Sequence, residues 1–64
     1  MERNMKLYTL RKKRGETQAE VAESVGVSVS SYNYYELGQR VPSDEIKKRL
    51  AKHFDRTVQF IFFS

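Results

Sequence analysis

Gln18-Ala19-Glu20-Val21-Ala22-Glu23-Ser24-Val25-Gly26-Val27-Ser28-Val29-Ser30-Ser31-Tyr32-Asn33-Tyr34-Tyr35-Glu36-Leu37 reads as two short helices joined at a glycine. The first opens on Thr17-Gln18-Ala19-Glu20, the spacing of a capping box, in which the Thr hydroxyl accepts from the backbone three residues on and the Glu reaches back. Val21, Ala22 and Val25 then form a narrow apolar face, and Gly26 supplies the positive φ that ends the helix. Ser28 is placed to cap the second helix. Tyr32 and Tyr35 follow it at helical spacing on one face, while Val29, Ser30, Asn33 and Tyr34 occupy the opposite one. Apolar residues thus fall where two crossed helices would touch.

Working outward, Leu7 and Leu10 recur at helical spacing, and Gly15 follows a basic cluster, which predicts a helix over about residues 5–14 with Gly15 as its stop. The bases in its last turn suit the negative end of the helix dipole. Beyond the central pair, Gly38 can stop a helix, Pro42 forbids an early restart, and Ser43-Asp44-Glu45 supplies an N-cap with acids in the first turn. Ile46, Leu50 and Phe54 then make an inward stripe. Thr57 can cap a short fifth helix whose Val58, Ile61 and Phe62 close the core, although Phe60 to Phe63 also reads as a strand. The expectation is an all-α chain of five short helices, without repeats, linkers or low-complexity stretches.

Sixty-four residues hold one domain, 1–64, with a compact core and no room for a deep substrate cavity. With no cysteine there is neither a disulfide nor a thiolate metal site. The longest apolar run, Phe60 to Phe63, is far below the roughly twenty residues of a membrane span, and no signal-peptide core follows Met1, so the chain is expected to be soluble and cytoplasmic. The net charge of +4 is unevenly spread. Arg3, Lys6, Arg11, Lys12, Lys13 and Arg14 face only Glu2 before residue 15, whereas Glu16, Glu20, Glu23 and Glu36 stand without a Lys or Arg in residues 15–38. The remainder carries Arg40, Lys47, Lys48, Arg49, Lys52 and Arg56 against Asp44, Glu45 and Asp55. Basic flanks are what grips phosphates; they also serve simply to solvate helix surfaces.

Two helices joined by a glycine turn with this apolar pattern are the sequence form of a helix-turn-helix, the unit that places its second helix in the DNA major groove. The ordered set Leu10-Arg11-Lys12-Lys13-Arg14-Gly15-Glu16-Thr17-Gln18, Ala22, Gly26-Val27-Ser28 and Tyr35-Glu36-Leu37-Gly38-Gln39-Arg40-Val41-Pro42-Ser43 resembles the phage-repressor family of Xre or Cro/CI type, from Leu10 to Phe62. That resemblance implies a compact, lambda-repressor-like bundle of five helices that usually binds DNA as a dimer.

The roles it implies fall on matching positions. Gln18 is similar to the family glutamine whose amide meets a phosphate and steadies the recognition helix. Arg40 matches a phosphate-contacting position, with Gln39 beside it and Ser28 as cap and phosphate donor. Arg11 and Glu36 occupy the places of a buried ion pair. The base-reading positions correspond to Val29, Ser30, Asn33 and Tyr34. Here the chain departs from relatives that carry Arg, Lys or Gln, so direct reading is expected to be light. Asn33 would pair with adenine, Ser30 with either kind of base, and Val29 with a thymine methyl, which together suit an A·T-rich half-site. Tyr34 would lie along a phosphate or a thymine methyl, or stand exposed without a partner. Tyr32 and Tyr35 are expected in the core.

His53 has no ligand cluster at metal spacing, and no nucleophile is paired with a base, so neither cofactor, metal nor enzymatic activity is expected. Phe60 and Phe63 would either form a two-fold dimer interface or be buried by a curling last helix. The resulting expectation is a stand-alone transcriptional repressor of phage or mobile-element kind, a homodimer on a palindromic stretch of double-stranded DNA with no small-molecule effector. The rival from another class is a protein-interaction module, as in an antitoxin or anti-repressor, with the base-poor helix turned to a protein.

Overall fold

The computed structural model describes residues 4–63, in which five helices follow one another: α1 (Met5–Lys13), α2 (Gln18–Val25), α3 (Val29–Leu37), α4 (Asp44–Phe54) and α5 (Val58–Phe62). Glu2 and Arg3, counted in the N-terminal charge cluster, lie outside the described residues.

Local chemistry sets the boundaries. The side chains of Asn4, Thr17, Ser28, Ser43 and Thr57 each accept a backbone N–H in the first turn of the helix that follows. The Thr17 backbone N–H donates in turn to the Glu20 carboxylate, which completes the capping box. Gly26 and Gly38 close α2 and α3 at φ of 81° and 73°, a left-handed conformation that side chains with a Cβ resist. α1 ends one residue before the sequence expectation, because Arg14 caps it in a helical conformation and the positive φ is deferred to Gly15. α4 closes on Asp55 at φ of 55°, one of the few non-glycine residues that tolerate this region.

α3 packs chiefly on α2, which also meets α4, while α5 lies against α4. Tyr32 fills the centre with Leu7, Val21, Val25 and Leu50 around it, all fully buried. Phe54 and Ile61 seal the side nearest α5. Residues 60–62 are helical, which settles the alternative of a strand. Of the three residues expected to close the core from this helix, only Ile61 is buried; Val58 and Phe62 are half-buried at its edge, because five residues give too little helix to turn three side chains inward.

Asn4 draws three elements together. Its backbone N–H donates to the Glu36 carbonyl at the end of α3 (2.9 Å), and its amide donates to the Ile61 carbonyl of α5 (3.2 Å).

Candidate nucleic-acid interface

α2 and α3 meet across a polar seam built on a buried ion pair. Arg11 Nε donates to Glu36 Oε2 at 2.7 Å and Nη2 to Oε1 at 3.2 Å, and both side chains are nearly inaccessible. A two-point bond of this kind fixes the planes of both groups. Burial alone would raise the Glu36 pKa, but the hydrogen bond from Arg11 and further donors outweigh it, and the carboxyl titrates below its ordinary range. The same pairing holds the Arg11 guanidinium above its usual value. The Tyr32 hydroxyl is buried beside the pair without a hydrogen bond of acceptable geometry. Burial, then the Glu36 charge, push its pKa far up, so it stays protonated.

Gln18 extends the seam. Its amide nitrogen donates to Glu36 Oε1 at 3.1 Å and to Asn33 Oδ1 at 3.0 Å. The sequence expectation gave this amide to a phosphate, but both of its hydrogens are spent inside the protein. The Gln18 backbone N–H, in the first turn of α2, has no partner among the described residues and keeps a donor there. Above this seam lies a groove of about 350 Å³, walled by Met5, Tyr8 and Leu37 and floored by Arg11, Gln18, Asn33 and Glu36.

The outward face of α3 carries the remaining expected contacts. Val29, Ser30 and Tyr34 are exposed, and Asn33 is half-buried at the rim of the groove. The Arg40 guanidinium stacks 5.1 Å from the centre of the Tyr34 ring, so a residue expected at a phosphate and one expected at a base form a single cation–aromatic unit. Ser28 donates its hydroxyl proton to Ser31 Oγ at 3.0 Å while capping α3, and Gln39 is exposed in the turn beyond.

Residues 7–61 match the helix-turn-helix family. The chain belongs to it, as a member of the Xre/Cro-CI type. No curated protein and no solved structure matches the chain. A helix-turn-helix of this type is a DNA-binding domain of transcriptional regulators rather than an enzyme. No group of side chains among the described residues is placed to hold a metal ion, and no helix among them is long and apolar enough to cross a membrane.

The helix-turn-helix is less acidic at its surface than its sequence. Of the four glutamates in residues 15–38, Glu36 is neutralised by Arg11 and Glu16 by Arg14 at 3.0 Å, and Glu16 also shares a hydrogen bond with His53 at 2.9 Å. Burial would raise the Glu16 pKa; the hydrogen bonds to His53 and Arg14 outweigh it and lower it. Glu20 folds back into the capping box, and Glu23 alone has no such engagement among the described residues. Arg14 is two residues from Glu16, but Arg11 and His53 come from α1 and α4, 25 and 37 residues from their partners, separations that no local pattern encodes.

On α5 and just beyond it Phe60 and Phe63 are 42% and 65% exposed. They border separate grooves. Lys6 Nζ donates to the Phe60 carbonyl at 2.8 Å and sits over its ring, whereas Lys47 Nζ lies 4.7 Å from the Phe63 ring centre. Phe63 shares its groove, about 470 Å³, with Pro42 and with Val41, which is 70% exposed.

Proposed function

We propose that this helix-turn-helix acts as a repressor of the phage or mobile-element kind, occupying a palindromic operator as a homodimer with α3 in the major groove. The observation that carries the reading is the outward face of α3. Val29, Ser30 and Tyr34 stand clear of the fold, and the base-edge chemistry they offer is flanked by Arg40 on one side and by the open first turn of α2 on the other. Arg40 and the Gln18 backbone N–H supply phosphate contacts, with Gln39 beside them; Ser30 and Val29 meet base edges, Asn33 lies at the rim, and Ser28 serves mainly as a cap. Repression is then steric, by occupancy of the operator.

Dimerisation is assigned to the Phe63 groove, in which Val41 and Pro42 continue the apolar surface. Phe60, turned toward Lys6 on the other side of α5, contributes less. A second reading has one specific observation in its favour: the exposed face of α3 carries no Lys or Arg of its own, as a surface for a protein partner in an antitoxin or anti-repressor would not need one.

Selection of bound duplexes from a random library at physiological salt, followed by titration of the winner at two salt concentrations, tests the proposal. A palindromic motif with half-sites about one helical turn apart is the expected result. Salt-sensitive binding with no enriched motif would move α3 to a protein partner.

A further inference from the structure

The direction of each hydrogen bond in the seam between α2 and α3 follows from one sign of charge. Glu36, ionised against Arg11, offers acceptors only. The Gln18 group that meets it at 3.1 Å is therefore the NH2 and not the carbonyl oxygen. An NH2 carries two hydrogens, and the second points at Asn33, 3.0 Å away, which must answer with its own oxygen. Turning the Asn33 amide over would set NH2 against NH2. The Asn33 NH2 is left on the side away from Gln18, with no partner among the described residues.

From this chain of donors we infer that Gln18 is a positioning residue that locks Asn33 as a donor-only contact, so that Asn33 takes an acceptor of the duplex, the O6/N7 edge of guanine or a phosphate oxygen, and disfavours adenine. The inference rests on α3 being the helix that faces DNA. Pairing with adenine needs an amide oxygen for N6 and an amide N–H for N7, both turned to the base. In this protein that oxygen is drawn inward by Gln18, and turning it outward would break the 3.0 Å bond and set the two NH2 groups against each other. The adenine preference expected for Asn33 from its residue type is thereby reversed, and the sign of a buried ion pair reaches the protein surface as a choice of base.

Two measurements test it, one without DNA. In a 15N-labelled sample of the free protein, both Gln18 side-chain hydrogens should exchange slowly with water and the Asn33 NH2 quickly; the opposite pattern overturns the lock. Binding is then measured for the wild type, Asn33→Ala and Gln18→Ala on duplexes that carry each base in turn at every position of the selected site. Asn33→Ala should cost about 5- to 100-fold, confined to guanine at one position if the acceptor is a base edge, or shared equally by all sequences if it is a phosphate. Gln18→Ala, which frees the amide to turn, should raise the relative affinity for adenine at that position in the first case, and in the second create a preference where there was none. A mere loss of packing would do neither. An Asn33-dependent preference for adenine in the wild type, or no effect of Asn33→Ala, overturns the inference. If the wild type selects no DNA, the operator reading and this contact fall together, while the exchange measurement still decides the lock.

Discussion

The seam between α2 and α3 and the surface of α5 solve opposite problems. In the seam, the bonds among Arg11, Glu36, Gln18 and Asn33 leave each group one orientation. At the C-terminal end, Phe60 and Phe63 remain largely exposed, with Lys6 and Lys47 leaning over their rings. The first region trades desolvation for geometry, because a buried charge pair contributes little net stability but is costly to break. The second keeps apolar area in reserve, since a cation over an exposed ring is worth only about 0.5–1 kcal/mol and is readily displaced. Fixed directions suit a surface that reads another molecule, and exposed apolar area suits one that closes on a second copy.

The strongest way to break this contrast is to remove Glu36. Glu36→Ala leaves Arg11 charged and buried, and should cost about 3–5 kcal/mol in a denaturant titration. A loss under about 1 kcal/mol would mean that the seam is not a rigid unit. The same region should set the response to acid. Glu36 and Glu16 titrate lower in the folded chain than when unfolded, so their contribution is fully present above the ordinary carboxylate range and disappears as pH falls through the lowered values. Thermal melts from pH 6 downward should therefore show a falling midpoint, and Phe63→Ala should leave the shape of that curve unchanged.

Gly26 offers a smaller effect on the turn between the two helices. Gly26→Ala at a φ of 81° should cost about 1–2 kcal/mol. The added methyl would also meet Arg49 Nη1 at 3.0 Å, but that guanidinium is the end of a flexible side chain and can swing away. The smallest effect on folding is expected at Phe63. Phe63→Ala should shift stability by no more than about 0.5 kcal/mol, as an exposed position does, and yet lower the solution mass measured by sedimentation from dimer to monomer. A mass that matches a monomer before and after the substitution would remove α5 from the assembly.

Much of the fold was legible in the sequence because its signals are local. Thr17, Ser28, Ser43 and Thr57 announce helix starts within four residues, and Gly26 and Gly38 announce ends. Asn4 carries the same signal three residues before Leu7. Asp55 was hidden, since a left-handed aspartate has no pattern of its own. The site was legible as a set of positions but not as directions. Nothing in Gln18 or Asn33 taken singly says which atom of each amide faces outward; that depends on Glu36, 18 residues from Gln18, and on Arg11, 25 residues from Glu36. The acidic character of residues 15–38 is muted for a similar reason, because Glu16 meets His53 only after 37 residues of chain have folded back.

The bridge from Asn4 to Ile61 spans 57 positions of the chain. Such a contact demands that both extremities already be in place, so loop-closure entropy defers it until the other helices have assembled. A contact formed that late weighs on the rate of unfolding, so Asn4→Ala should speed unfolding, as measured by stopped-flow, with little change in the folding rate.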